Sequence, residues 1–265
     1  MNHFFTSCYL DSPLREGRVF DVFEPETVTR DTALFFVHGG GWHAGSRTTY
    51  HKIMEAFNVR GYLCASADYR LKGASAFEQL QDIREAYDRY VALLKGKKRP
   101  LRLAVCGSSA GAHLASLLLC AAPGECGEAC RLENDWVKPV RGILLSTPHD
   151  FLPWEGMMPQ TWSAMQSAAG APYDREPERY ERLSLKNYLR TDNPALFFAE
   201  AEQEHLFFSE YTLDFVKKHR EWGIPSHWKV YSRMEHGFFY ELVRKAQLEA
   251  FADICSFLEG NLKTI

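Results

Sequence analysis

Residues 101–121 have the sequence LRLAVCGSSAGAHLASLLLCA. Residues 101–106 form a short apolar run that predicts a buried strand, and residues 112–121 form a longer apolar stretch that predicts a helix. Between them, residues 107–111 fit G-x-S-x-G in the strand–turn–helix setting that this motif requires. Its glycines permit a turn so sharp that side chains beside the serine would clash with neighbouring backbone. Ser109 is therefore a candidate nucleophile, exposed at the carboxyl edge of a sheet near a helix N-terminus.

Short apolar runs and longer helical patterns alternate on both sides of this motif. Further runs typical of strands occupy residues 18–24, 33–37, 62–67, 142–146, 195–199 and 227–231. Helical spacing predicts helices over residues 77–94, about 209–222, and from Phe239 to the C-terminus. This order predicts one α/β domain over residues 1–265: a doubly wound, mostly parallel sheet of about eight strands with helices on both faces.

Residues 148–190 interrupt this alternation. They carry five prolines together with tryptophan, methionine and tyrosine side chains. A connection of this length is too long for a plain loop, so it is either functional or contains short helices of its own. Its aromatic and methionine content favours a lid inserted over an apolar pocket. The alternative is a structural excursion that only covers the edge of the sheet.

Composition excludes several classes of function. The chain has 31 Lys and Arg against 34 Asp and Glu, and this near balance argues against a nucleic-acid partner. The seven cysteines are an odd number, and Cys64 and Cys106 lie inside apolar runs, so we expect no disulfide framework. A metal site at Cys120, Cys126 and Cys130 is disfavoured because these lack a paired CxxC motif. With no secretory signal and no apolar run of ~18 residues, we predict a cytoplasmic protein without a membrane partner.

A glycine-rich turn follows another predicted strand, where residues 38–42 have the sequence HGGGW. Three consecutive glycines let the backbone bend so that successive N–H groups point into a cavity. Such donors stabilise the oxyanion of a tetrahedral intermediate, and loss of one typically costs ~3 kcal/mol. An ordinary flexible turn is the alternative, but the downstream G-x-S-x-G motif favours an oxyanion hole.

A nucleophilic serine also needs a base that is held by an acid. Among ten histidines, His236 stands out because it follows the last predicted strand and precedes the last helix. Glu204, after the run at 195–199, is the best placed acid, and Glu202 is its nearest competitor. Asp150 is a second competitor because it closely follows the strand at 142–146. The chain order Ser, acid, His favours Glu204.

Four motifs together resemble one family. HGGGW at 38–42, DYRL at 68–71, GSSAG at 107–111 and EHGF at 235–238 are similar to the hormone-sensitive-lipase-like branch of the α/β-hydrolase superfamily. The resemblance runs from about residue 18 to the C-terminus. It implies the α/β-hydrolase fold and serine esterase chemistry without a metal or cofactor.

The resemblance also implies roles for individual residues. It makes Ser109 the nucleophile and His236 the base, and it forms the oxyanion hole from the backbone N–H groups of Gly40, Gly41 and Ala110. Residues 201–206, AEQEHL, align with the G-E-x-D-P-L of the family, so Glu204 takes the place of the catalytic aspartate.

Glu in place of the catalytic aspartate is one departure from the family, and the N-terminus is a second. Only about seventeen residues precede the first predicted strand, whereas many relatives carry a longer helical cap there. The site is therefore expected to be open, covered chiefly by residues 148–190, with Trp42, Trp154 and Phe208 near its mouth. We predict a serine hydrolase that acts on a small ester with a short acyl group. An amidase or arylformamidase, and a non-catalytic binding protein on the same scaffold, are the alternatives; the oligomeric state is left open.

Overall fold

An eight-stranded sheet forms the centre of the molecule in the computed structural model, which describes residues 3–9, 17–207 and 209–262. The strand order is β1-β2-β4-β3-β5-β6-β7-β8. The first two pairings, β1 with β2 and β2 with β4, are antiparallel, and all others are parallel. The strands are β1 (His3–Cys8), β2 (Val19–Glu24), β3 (Thr32–Val37), β4 (Cys64–Ala67), β5 (Arg102–Ser108), β6 (Arg141–Leu145), β7 (Ala195–Gln203) and β8 (His227–Glu235).

Helices cover both faces of this sheet. They are α1 (His51–Val59), α2 (Ala76–Gly96), α3 (Ala110–Cys120), α4 (Pro159–Ala169), α5 (Pro177–Leu183), α6 (Ser209–Glu221) and α7 (Lys245–Leu258), with short 3-10 turns at Arg47–Tyr50 and Leu185–Tyr188. One core lies between the sheet and α2, α3 and the α4–α5 region, and the other lies against α1 and α7. The doubly wound, mostly parallel α/β architecture predicted from the sequence is confirmed.

Strand β3 shows why its sequence is apolar throughout. Successive side chains of a strand point to opposite faces. Phe35 and Val37 therefore enter the core under α2 and α3, while Leu34 and Phe36 enter the core under α1 and α7. A central parallel strand is buried on both faces, so it needs an apolar residue at every position.

The structure differs from the sequence-based expectation at both ends of the chain. The first strand is β1, which pairs antiparallel with β2, so the expectation that the sheet begins near residue 18 is wrong. Helix α7 begins at Lys245, and the predicted start at Phe239 is also wrong. The Gln247 side chain accepts hydrogen bonds from the N–H groups of Val243 and Arg244, at 2.9 and 2.7 Å. This contact fixes the helix start, and Val243 is left 73% exposed.

The segment from residue 148 to 190 contains α4, α5 and a 3-10 turn, joined by short loops. All seven cysteines are free thiols, and Cys64 and Cys106 are buried. Within the described ranges, no helix is both long and apolar enough to cross a bilayer.

Candidate active site

Ser109 occupies a strained turn between β5 and α3. Its φ of 56° and ψ of −127° lie outside the regions that L-residues ordinarily adopt, and a conformation of this kind costs about 1–3 kcal/mol. The Ser109 N–H donates to the carbonyl of Leu145 at 2.9 Å, which fixes the turn against β6. A Cβ on Gly107 would lie 2.4 Å from the Gly111 oxygen, and one on Gly111 would lie 2.2 Å from the Val37 oxygen. Both glycines of the motif are therefore required by close backbone contacts.

A cavity of about 700 Å³ opens above this turn. Ser109 and His236 both line it, and the volume falls in the range of small-molecule sites. Its walls are mostly apolar, and they come from the glycine-rich loop, α4, the loop after β7 and the loop after β8. The lining residues are Gly39, Gly40, Gly41, Trp42, Gly45, Thr49, Ser109, Met158, Gln160, Thr161, Ala164, Leu206, Phe207, His236, Gly237 and Tyr240.

The imidazole of His236 contacts a carboxylate at the rim of this cavity. Its Nδ1 lies 2.8 Å from Oε2 and 3.1 Å from Oε1 of Glu204. The Glu204 Oε1 also accepts the N–H of Leu206 at 2.9 Å. When Nδ1 donates its proton to this carboxylate, the second ring nitrogen, Nε2, is the one left able to accept a proton.

Glu204 is held in its ionised form. Its side chain is only 4% exposed, and burial alone would raise the pKa. The hydrogen bond and charge of His236 and the Leu206 N–H outweigh burial and lower the pKa of Glu204 to about 2. The carboxylate is therefore charged at neutral pH and able to stabilise an imidazolium.

The two competing acids are bonded elsewhere. Asp150 Oδ2 accepts from Nζ of Lys186 at 2.7 Å, and its Oδ1 accepts from Oγ of Ser184 at 3.3 Å. These contacts bind Asp150 within the 148–190 segment. Glu202 is exposed and accepts the N–H of Arg233 at 2.8 Å.

Two consecutive residues of the glycine-rich loop have positive φ angles, which favour glycine. Gly40 has a φ of +123° and Gly41 a φ of +59°. A Cβ on Gly40 would lie 2.1 Å from the oxygen of Ala44. The Ala44 N–H in turn donates to the Gly40 carbonyl at 2.9 Å, so the loop closes tightly on itself beside the cavity. Ala110, the third predicted oxyanion donor, is the first residue of α3 and directly follows Ser109.

Trp42 is anchored in the core, although it also borders the cavity. It is only 4% exposed and has a φ of +63°, which is unusual for a bulky residue. Its indole N–H donates to Nδ1 of His113 at 3.2 Å, and Nε2 of His113 donates to the carbonyl of Leu183 at 2.8 Å. The Gln79 side chain donates to the Trp42 carbonyl at 2.6 Å. The loop is thereby tied to α2, α3 and the end of α5.

Trp154 and Phe208 are the other two residues that were predicted to lie near the mouth of the site. Trp154 is partly buried but does not line the cavity; its ring centroid lies 6.2 Å from that of Phe207, which does. Phe208 lies outside the described residues. Phe207 lies 5.8 Å from the His236 ring. The aromatic side chain that the structure places beside the histidine is therefore Phe207.

Two further histidines support the loop and the helix rather than facing the cavity. His38 is fully buried, stacks on Tyr69 at 4.2 Å and donates from Nδ1 to the Gly39 carbonyl at 2.8 Å. Burial lowers the pKa of His113 to about 4, although its bond to the Leu183 carbonyl acts in the opposite direction. His113 is therefore neutral at physiological pH and can accept the Trp42 N–H.

Several site residues were not identified from the sequence. Helix α4 supplies Gln160, Thr161 and Ala164 to the cavity wall, and Tyr240 enters from the loop after β8. The fully buried Glu200 lies on β7, and burial together with the Glu204 charge raises its pKa to about 8. Its position directly after the apolar run at 195–199 was the available signal. Among the residues that the structure describes, no group of three or more histidine, cysteine or acidic side chains could hold a metal ion.

Comparison with known proteins gives the family. A model of the BD-FAE family matches residues 20–218, which is most of the chain. The chain belongs to the BD-FAE family. The matched span of this BD-FAE protein includes the glycine-rich loop, Ser109 and Glu204, whereas His236 lies beyond it.

The fold of this BD-FAE protein is shared with solved esterase structures. Esterase B from Lactobacillus Rhamnosis is similar with a TM-score of 0.81 at 16% identity, covering 98% of this chain and 86% of that one. Esterase 2 of Thermogutta terrifontis, solved with propionate bound, is similar with a TM-score of 0.73 at 20% identity, covering 98% and 96%. These likenesses show the α/β-hydrolase fold.

One curated relative is similar over a shorter stretch. The kynurenine formamidase of Drosophila melanogaster is 34% identical over 106 residues, which are 39% of the BD-FAE chain and 35% of that protein. The match thus spans about a third of the relative.

Proposed function

We propose that this protein is a serine hydrolase that cleaves short-chain carboxylic esters through an acyl-enzyme on Ser109. One observation carries the proposal: Ser109 on its strained turn and a His236 bonded at 2.8 Å to a buried carboxylate line the same cavity. A nucleophile, a base and an orienting acid are the three parts that serine hydrolysis needs.

The reaction begins when Nε2 of His236 takes the proton of Ser109 and Oγ attacks the ester carbonyl. The backbone N–H groups of Gly40, Gly41 and Ala110 then donate to the oxyanion, in a cavity with mostly apolar walls where such bonds are strong. The imidazolium protonates the leaving alcohol. Water, activated by the same histidine, attacks the acyl-enzyme and releases the acid.

Glu204 orients the base and stabilises its charged form. The depressed pKa of this carboxylate keeps it ionised throughout the cycle, so it does not take the proton itself. The additional methylene of Glu relative to Asp is accommodated, since both carboxylate oxygens lie within 3.1 Å of Nδ1.

Structures of similar fold support an ester as substrate. Esterase B has been solved inhibited by a C4-C4 tributyrin phosphonate, and esterase 2 with propionate and with butyrate bound. In this chain the site is bounded by α4, so we further propose that the 148–190 segment is its lid. A small, partly capped cavity favours short acyl groups.

Formamide hydrolysis is the second candidate, because a curated formamidase shares 34% identity over 106 residues and the same machinery serves amides. A non-catalytic binding protein has no need for a strained serine beside a carboxylate-held histidine. That combination favours an enzyme.

The test is to compare kcat/KM for 4-nitrophenyl acetate, butyrate and decanoate and for an N-formyl anilide. We expect the acetyl and butyryl esters to be preferred. A long apolar tunnel would gain ~0.8 kcal/mol per buried methylene, so a steady rise to ten carbons would contradict the short site. Faster turnover of the formanilide than of every ester would make the protein a formamidase.

A further inference from the structure

A second depression, here called the polar basin, lies beside the cavity that contains Ser109. Its volume is about 610 Å³, and it shares Gly41, Trp42 and Ala164 with that cavity. The two spaces therefore meet along the glycine-rich loop and α4. Six residues that line the basin have polar or charged side chains, and three of these are Lys, Arg or Glu, whereas no Lys, Arg, Asp or Glu lines the first cavity. The polar side chains are His43, Lys72, Ser75, Glu78, Ser167 and Arg179.

Arg179 is fixed in position at the wall of the basin. Its Nε donates to the carbonyl of Ala169 at 2.6 Å, and its guanidinium lies over the ring of Phe77 at 4.9 Å. Its ion pair with Glu176 is long and exposed, with 3.5 Å between Nη1 and Oε2. An arginine held in this way loses little conformational entropy on binding, and its planar fork matches a carboxylate.

The acidic group of the basin is already committed to other donors. Glu78 Oε2 accepts the N–H and the hydroxyl of Ser75 at 2.8 and 3.0 Å, and so caps the start of α2. Its Oε1 also lies 3.4 Å from Nη1 of Arg70. Lys72, which is exposed, adds a second cationic side chain to the lining of the basin. The basin therefore carries more positive charge than its own carboxylate neutralises.

The position of His236 indicates which part of an ester reaches the basin. His236 lines the first cavity but not the basin. In the proposed reaction this histidine must protonate the leaving oxygen, so the alcohol lies on the His236 side, beside Leu206 and Phe207. An acyl group that points away from His236 would then pass Gly41 towards the basin, because Gly41 lines both spaces.

We propose that the polar basin binds a carboxylate at the far end of the acyl group, so that half-esters of short dicarboxylic acids are preferred substrates. Arg179 would bind this carboxylate with its fork, and Lys72 would add to the attraction. The proposal rests on the proposed ester hydrolysis at Ser109 and names the substrate class of that same site.

The test uses matched esters that differ only in charge. Monoethyl succinate, glutarate and adipate are each compared with the ethyl ester in which a carboxamide replaces the free carboxylate, and ethanol release is measured at neutral pH. Because charged hydrogen bonds contribute more than neutral ones, we expect at least one half-ester to exceed its carboxamide partner in kcat/KM by about tenfold or more. Raising the ionic strength should reduce the ratio of the two kcat/KM values, half-ester over carboxamide.

Variants assign the preference to the basin. Arg179→Gln should bring the ratio close to one, and Lys72→Gln, at an exposed position, should lower it by a smaller factor. Arg175→Gln is the matched control, because Arg175 is exposed just before α5 and does not line the basin. Its ratio should equal that of the wild type. Circular dichroism confirms that each variant is folded.

The outcomes separate this inference from the proposed function. Equal or faster hydrolysis of the carboxamides by the wild type, or a charge preference that survives both Arg179→Gln and Lys72→Gln, overturns the inference and leaves the esterase intact. Turnover of 4-nitrophenyl acetate is measured in parallel. If neither that ester nor any ethyl ester is hydrolysed, the proposed function fails and the inference fails with it.

Discussion

The two ends of α3 are built in opposite ways. At its N-terminus, Ser109 is strained and faces a cavity of about 700 Å³. At its C-terminus, Arg84 is fully buried and donates from Nη2 to the carbonyls of Leu117 and Ala121 at 3.3 and 3.1 Å. Its Nε lies 2.6 Å from Oε1 of Glu128, whose side chain is also fully buried. We call the first the open end of the helix and the second the sealed end.

This difference shows how a helix can present a strained residue and remain well ordered. The sealed end satisfies the terminal carbonyls of α3 with a cation, as the helix dipole favours. The strain at Ser109 persists because the surrounding structure determines that turn from several sides. Changes of Ser109 or Glu204 should therefore alter activity more than stability, and changes at the sealed end should do the reverse.

The largest effect is expected from neutralising the acid at the open end. Glu204→Gln removes the charge beside Nδ1 of His236. Since Glu204 is the proposed triad acid, kcat should fall by roughly 10³–10⁴, as is typical when such an acid is lost. The matched control is Asp150→Asn, since Asp150 is bonded to Lys186 instead. Its kcat should change little. A nearly normal Glu204→Gln beside a crippled Asp150→Asn, with both folded by circular dichroism, would show that the acid was assigned wrongly.

The second largest effect is expected from breaking the buried ion pair at the sealed end. Arg84→Met leaves Glu128 as an unpaired buried carboxylate, and breaking such a pair usually lowers the free energy of unfolding by about 3–5 kcal/mol. Urea denaturation measures this loss, while kcat of the folded enzyme should stay near the wild-type value. The double variant Arg84→Met/Glu128→Leu should regain much of the stability.

The control for the sealed end is Arg89→Met, on the same helix. The Arg89 side chain is 40% exposed, and its ion pair with Glu133 is long, at 3.8 Å. A substitution at such a site should change the free energy of unfolding by no more than about 0.5 kcal/mol. Equal losses from Arg84→Met and Arg89→Met would contradict the sealed-end account.

A smaller effect is expected at Trp42, which joins the glycine-rich loop to α3. Trp42→Phe keeps the ring but removes the N–H that His113 accepts, which leaves a buried acceptor unpaired at a cost of about 1–3 kcal/mol. If the loop loosens, kcat should fall several-fold with little change in KM. Trp222→Phe, at a side chain 43% exposed, is the control and should change neither. A loss of stability without any loss of kcat would limit Trp42 to a packing role.

The sequence predicted those features that depend on local pattern. Apolar runs located seven of the eight strands, and the glycine motifs located the two turns beside the cavity, because their backbone shape demands glycine. Strand β1 was not predicted because apolar and polar residues alternate poorly in HFFTSC. Its backbone hydrogen bonds form only with β2. The start of α7 was misplaced because apolar spacing alone was followed, whereas the polar side chain of Gln247 caps the helix from within its own first turn.

The parts of the site that depend on three-dimensional assembly could not be predicted. Order along the chain favoured Glu204 over Asp150, but only the structure shows which carboxylate contacts His236. Trp42 was predicted to lie near the mouth of the site. It does line the cavity, but its burial and the bond from its indole N–H to His113 could not be read from the sequence. The composition of residues 148–190 predicted a segment over an apolar pocket, but which of its side chains line the cavity depends on how α4 packs.

The most direct test of the proposed nucleophile is to identify the residue that a fluorophosphonate probe labels. The motif contains two adjacent serines, and only Ser109 lines the cavity, whereas Ser108 is buried in β5. Peptide mass spectrometry of the labelled protein should find one adduct, on Ser109. Ser108→Ala should still be labelled, and Ser109→Ala, folded as judged by circular dichroism, should be neither labelled nor active. Stoichiometric labelling of Ser109→Ala would show that another residue is the nucleophile.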